Sequence, residues 1–250
     1  MIRGLAYWAG GILLTVVMFI LVMILYPFSR RKDEYMHRMN RAWSRILLRG
    51  FLGVRLRVVG LEHLEDAGGG PFIIVSNHRS YTDILIGNAV MPLQFRWLAK
   101  ESLFRLPLLG VAMRLAGYVP VARERSVSAS RSLERVMEVL REGKSVWIFP
   151  EGTRTRQDRL GRFKRGAFLI ALKSGFPLLP VVLVHSDLVF QTPLKAVSRE
   201  VTVVIGTPLR LERPAPGTAA DGERAAMERF MSRVRETIQS QYDAYADQPQ

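Results

Sequence analysis

The chain has 250 residues, room for one large domain or one domain with appendages. Its 36 Lys and Arg against 22 Asp and Glu leave a net charge of +14, which points to an anionic partner: nucleic acid, lipid headgroups or a phosphorylated substrate. Cysteine is absent, which excludes disulfides, a cysteine nucleophile and thiolate metal sites, and suits a reducing compartment.

The N-terminus favours lipid among the anionic partners. Residues 4–29 carry no charge, and 12–25 are almost wholly apolar. As a helix this stretch is long enough for a bilayer core, which needs about 20 residues. Tyr7, Trp8 and Tyr26 sit near its ends, as interfacial aromatics do. Arg30-Arg31-Lys32 follows, against Arg3 in front, so the positive-inside rule puts the bulk of the chain in the cytoplasm, at the inner membrane. No small-x-small cleavage site precedes the basic cluster, so an uncleaved anchor is expected rather than a signal peptide.

Residues 34–53 place Arg38, Arg41, Arg45 and Arg49 on one helix face and Met39, Trp43, Ile46, Leu47, Phe51 and Leu52 elsewhere. This reads either as a basic amphipathic helix in the membrane interface or as a surface helix packed on the globular domain. The two helices together form either a crossing anchor or a hairpin dipped into one leaflet.

Residues 54–59 alternate apolar and basic, as an edge strand does. Gly68-Gly69-Gly70-Pro71 is a turn. A buried strand at 72–75 leads into the loop Ser76-Asn77-His78-Arg79-Ser80-Tyr81-Thr82-Asp83, and a helix runs from 82 to about 90. Further strands are expected at 95–99, 118–122, 145–149, 178–184 and 201–205, with helices at 108–115, 128–142, 163–174 and 221–242. Arg213-Pro-Ala-Pro-Gly217 reads as a linker. Strands alternate with helices, so the class is α/β: a mixed, mostly parallel sheet flanked by helices, behind an N-terminal membrane-embedded helical segment. The expected division is an anchor over 1–53, an α/β domain over 54–212, and a linker with a C-terminal helix over 213–250.

Two strand-end loops carry the chemistry, in the region where open α/β sheets bind ligands. His78 can take a proton near neutral pH if one ring nitrogen is held by an acceptor, and Asp83 can fold back to hold it. Ser80-x-x-Asp83 also fits a helix capping box, with Asp83 merely serving the helix end. The second loop, Phe149-Pro150-Glu151-Gly152-Thr153-Arg154-Thr155, combines a glycine that allows close backbone approach with hydroxyls and a guanidinium fork suited to phosphate. By itself it also reads as a Pro/Gly turn with a solvated arginine. His185 closes a strand, and His37 and His63 are expected on the surface. No His/Asp/Glu cluster has metal-ligand spacing, and no Walker-type loop occurs, so no metal is proposed.

Taken together, Asn77-His78-x4-Asp83 and Phe149-Pro150-Glu151-Gly152-Thr153-Arg154 resemble the glycerolipid acyltransferase family, more narrowly its 1-acylglycerol-3-phosphate acyltransferases. Lys100-Glu101-Ser102-Leu103 with Pro107 and Gly110 resembles the family's second motif, and Leu179-Pro180-Val181 its fourth. The resemblance covers residues 54–207. Departures are Tyr81, where the family often has tryptophan, and an unusually basic loop after Arg154.

The resemblance implies His78 as general base and Asp83 as its orienting partner. It implies a thioester donor, acyl-CoA or acyl carrier protein, as co-substrate and no resident cofactor. Glu151, Gly152, Thr153 and Arg154 would bind the glycerol phosphate of lysophosphatidic acid, with Lys100 a second phosphate contact and Arg79 a further candidate. Membrane lipids are expected partners and nucleic acid is not. Alternative readings are another lysophospholipid or lyso-aminolipid acceptor, or a non-catalytic basic protein binding lipid or nucleic acid.

Overall fold

The computed structural model describes residues 2–121, 126–155, 159–192, 195–196, 200–212 and 220–247. In chain order the elements are α1 (Ile2–Leu25), α2 (Lys32–Arg45), β1 (Arg55–Val59), α3 (Glu62–Asp66), β2 (Ile73–Ser76), α4 (Thr82–Val90), β3 (Phe95–Lys100), α5 (Leu109–Leu115), β4 (Val119–Val121), α6 (Ser126–Arg141), β5 (Ser145–Ile148), α7 (Gly166–Ser174), β6 (Leu178–Val184), β7 (Phe190–Thr192), β8 (Lys195–Ala196), β9 (Glu200–Ile205) and α8 (Ala220–Ala246). The 213–217 linker lies outside the described residues.

Runs too short for helices become strands, and the central β2 and β6 are buried on both faces, as a sheet covered by helices requires. Seven of them form one sheet in the order β1-β9-β6-β2-β5-β3-β4. β6, β2, β5, β3 and β4 run parallel, β9 is antiparallel to β6, and β1 is the edge strand beside β9. The carboxyl ends of five neighbouring strands therefore lie on one rim. Alternation along β2 splits the core: Ile73 and Val75 join α6, α7 and α8 on one face, while Ile74 joins Ile86 of α4, Trp97 and Trp147 on the other. The short α3 and the β7–β8 hairpin were not expected from sequence.

α2 packs on this second face. Arg45 Nε donates to the Ala89 carbonyl at 3.0 Å, Asn88 donates to Ser44 Oγ at 3.3 Å, and Asp33 pairs with Arg96 at 3.3 Å and with Lys144. It is thus a helix docked on the domain. His37 is not a surface residue: its ring meets Phe95 edge-on at 5.5 Å, and burial, reinforced by Arg96 and Arg41, lowers its pKa to about 4. His63 is also part-buried, with Nδ1 2.8 Å from the Ile205 carbonyl oxygen.

α1, about 36 Å long at 1.5 Å per residue, turns back along α2. Trp43 Nε1 donates to Thr15 at 3.1 Å, and Tyr35 donates to the Leu21 carbonyl at 3.4 Å. Gly10 permits this approach, since a Cβ there would lie 2.6 Å from the Phe51 ring. The outer face of α1 stays bare, with Ile12 59% and Leu13 65% exposed. The 20 residues Ala9–Phe28, of mean hydropathy 2.6, are apolar and long enough to cross a membrane.

Candidate active site

Two loops leave the rim from adjacent strands, β2 and β5. Asn77 fixes the first. Its amide donates to the Leu183 carbonyl at 2.9 Å and accepts from the Leu183 N–H at 2.8 Å, so the side chain continues the β2–β6 pairing where the backbone departs. His78 follows and turns its ring onto Phe149, stacked at 3.9 Å between centroids, which in turn stacks on Trp97 at 5.3 Å. The ring plane is thereby set by apolar contact, leaving the side chain 18% exposed.

Asp83, in the first turn of α4, is fully buried. Its Oδ2 lies 2.8 Å from His78 Nδ1 and accepts the backbone N–H groups of Arg79 at 2.7 Å and Ser80 at 2.9 Å. The two readings of this residue therefore describe one oxygen, which serves the helix start and holds the imidazole. With a carboxylate as its neighbour, Nδ1 carries the proton in the neutral ring, and Nε2 keeps a free lone pair. Asp83 Oδ1 is buried without a hydrogen-bond partner among the described residues.

The second loop is stitched to the first. Thr155 N–H donates to the His78 carbonyl at 2.8 Å, and His78 N–H donates to Glu151 Oε1 at 2.9 Å. The other Glu151 oxygen accepts from Gly161 N–H at 2.9 Å. Arg154 reaches back across the first loop and lays its guanidinium 3.4 Å from the centre of the Tyr81 ring, which is 76% exposed. Tyr81 thus supplies the cation–π platform that a tryptophan would also give. These contacts hold the loop of Arg154 against the loop of His78.

The remaining expected contacts divide. Gly152, at φ +71°, and the exposed Thr153 sit in the crevice loop. Glu151 is no free ligand: it is buried, both oxygens serve backbone amides, and its charge would repel a phosphate. Arg79 is not available either. It is buried, paired with Asp187 at 3.2 Å, and lies 4.9 Å from the Tyr242 ring. Lys100 is exposed at the end of β3, two strands from β2 and so about 10 Å across the rim. His185, in a left-handed conformation at φ 64°, ends β6 on the same rim.

Sequence reasoning gave no role to Asn77, Phe149 or Lys164. Their signals were faint: an Asn before the histidine, an aromatic at a strand end, one more cation in a basic loop.

A family model described as Acyltransferase matches residues 55–184. The chain is similar to the chloroplastic 1-acyl-sn-glycerol-3-phosphate acyltransferase BAT2 of Brassica napus, 32% identical over 218 residues, covering 83% of this chain and 61% of that one. It is similar to the chloroplastic 1-acyl-sn-glycerol-3-phosphate acyltransferase LPAT1 of Arabidopsis thaliana, 32% identical over 228 residues, covering 88% and 61%. The chain thus spans about three fifths of the length of these two relatives. Among solved structures it resembles the crystal structure of the 1-acyl-sn-glycerophosphate (LPA) acyltransferase PlsC from Thermotoga maritima, with a TM-score of 0.68 over 96% of this chain and 99% of that one. At 21% identity that likeness speaks for the fold.

Proposed function

The chain belongs to the acyltransferase family, and from that premise we propose that it moves a fatty acyl group from a thioester donor, acyl-CoA or acyl carrier protein, to the free hydroxyl of 1-acyl-sn-glycerol 3-phosphate, giving phosphatidic acid. The observation that carries this reading is the His78–Asp83 pair, 2.8 Å apart, with the loop of Arg154 hydrogen-bonded to the backbone of His78.

The steps follow from the pair. The acceptor hydroxyl donates to His78 Nε2, which takes its proton as the oxygen attacks the thioester carbonyl. Asp83 holds the tautomer and stabilises the imidazolium that forms. The tetrahedral intermediate collapses, the C–S bond breaks, and the leaving thiolate takes the proton back from Nε2. No acyl-enzyme is required, in keeping with a chain that has no cysteine and no Gly-x-Ser-x-Gly elbow. Arg154, with Lys100 reaching in along the rim, receives the acceptor phosphate. Glu151 positions the base by holding its backbone.

Because α1 lies along α2, and α2 is pinned to the domain, α1 cannot stand upright in a bilayer without dragging the domain with it. The bare face of α1 lies in one leaflet, on the cytoplasmic side of the inner membrane, so that the acceptor reaches the crevice from the lipid.

The test is the purified chain in vesicles, given lysophosphatidic acid and other lyso-lipids with palmitoyl-CoA or palmitoyl-carrier protein. Phosphatidic acid formed with lysophosphatidic acid preferred is the expected result. Acylation of only a different lyso-lipid overturns the acceptor, and no ester product overturns the reading.

A further inference from the structure

The basic loop after Arg154 has no part in the steps above, yet it is built into the site. Between Arg154 and Arg165 the sequence carries Arg156, Arg159, Arg162 and Lys164 against a single acid, Asp158. Its described part, residues 159–165, is held in place by hydrogen bonds. Gly161 N–H donates to Glu151, Lys164 N–H donates to the Pro150 carbonyl at 2.8 Å, and Leu160 N–H donates to Gln239 of α8 at 2.9 Å. Arg235 of α8 donates to the Leu160 carbonyl at 2.9 Å. One carboxylate, that of Glu151, bridges from this loop to the backbone of the base.

The side chains then fall into two groups. Arg165 pairs with Glu228 at 2.5 Å. Arg162 and Lys164 are exposed and have no carboxylate partner among the described residues. Lys164 lies over Gly152: a Cβ on that glycine would sit 2.8 Å from Nζ. Both line a cavity of about 680 Å³ with Phe163, Glu228 and Met231, a size typical of small-molecule sites.

Position selects the ligand. The cavity lies on the α7–α8 side of the sheet, whereas α1 and α2 lie on the other. A lipid acceptor arrives from the α1 side. The group that must remain in water while its thioester reaches His78 is the head of the donor. We infer that Arg162 and Lys164 bind the nucleotide phosphates of the coenzyme A donor, and that Gly152 is small so that Lys164 can lie across the crevice loop. This rests on the acyl-transfer reading above.

The experiment compares wild type with R162Q/K164Q, both full length in vesicles, using palmitoyl-CoA and palmitoyl-pantetheine, which lacks the nucleotide. The double variant raises KM for palmitoyl-CoA roughly tenfold to a hundredfold, as loss of two charge-assisted contacts predicts. KM for lysophosphatidic acid and turnover of palmitoyl-pantetheine stay put, as does every parameter in R131Q/R141Q, a charge-matched control on α6. Unchanged KM for palmitoyl-CoA overturns the inference. So does a rise confined to lysophosphatidic acid or to a carrier-protein donor. Calorimetric binding of free coenzyme A, weakened by the same factor in the double variant, is read without any acyl transfer. It therefore separates failure of this site from failure of the acceptor assignment.

Discussion

Glu151→Gln distinguishes a residue that builds the site from one that touches substrate. In the structure both carboxylate oxygens accept backbone N–H groups, of His78 and of Gly161, each at 2.9 Å, and the side chain is 5% exposed. A glutamine keeps one acceptor and turns an NH2 toward a second N–H. One buried amide loses its partner, at a cost of about 1–3 kcal/mol. In a chain of this size that lowers Tm by about 3–9 °C. The displaced N–H belongs either to the base or to the loop that supports it, and a shift of the base by about 1 Å costs about a hundredfold in rate. We therefore expect kcat to fall about a hundredfold, Tm to fall with it, and KM for lysophosphatidic acid to change little. Steady-state kinetics in vesicles and thermal denaturation measure all three. A large rise in acceptor KM at unchanged Tm and kcat would show that Glu151 contacts the substrate and would refute the reasoning.

Other perturbations follow from the same contacts. Asp83→Asn presents the wrong tautomer partner to His78 and lowers kcat by roughly 10³–10⁴; a loss below tenfold would remove Asp83 from the mechanism. Arg79→Gln breaks the pair with Asp187 in a largely buried setting and costs about 2–4 kcal/mol in denaturant titration, with acceptor KM unchanged. A raised KM at normal stability would return Arg79 to the phosphate site. His37 has its pKa lowered to about 4, below its unfolded value of 6.5. The unfolded chain therefore binds the proton first as pH falls, so this contribution is complete above pH 6.5 and is lost toward pH 4. It amounts to about 2 kcal/mol once discounted for the ring's partial exposure. His37→Gln should flatten the stability profile across that window, and a profile that keeps its slope would assign it to other groups.

Much of the architecture was legible because the central strands are short, buried and apolar on both faces, and because turns and helix stops punctuate them. Pro180, which has no N–H to give, fits within β6 because it sits where the β9 pairing ends at Val181↔Ile205, and its carbonyl still accepts Gly206 N–H. The helix expected from residue 163 begins at Gly166 because the amides of Gly161 and Lys164 are engaged by Glu151 and Pro150. Such tertiary partners leave no periodicity in the sequence. The same holds for Glu151 and Arg79: spacing brings a charge to the right loop, but not the backbone amide or aspartate that claims it. The arginine face of residues 34–53 was ambiguous for a different reason, since an interfacial helix and a docked one need the same amphipathic pattern. Only the contacts of Arg45, Ser44 and Asp33 decide it.

The central claim is that a single imidazole, His78, removes the acceptor proton. The most direct measurement is acyl transfer by purified His78→Ala in the same vesicles as wild type, with Tm recorded alongside. The account predicts a fall in kcat of about 10³, with membrane association retained and Tm lowered only by the lost stacking on Phe149. A variant that folds, binds vesicles and turns over within tenfold of wild type would contradict it.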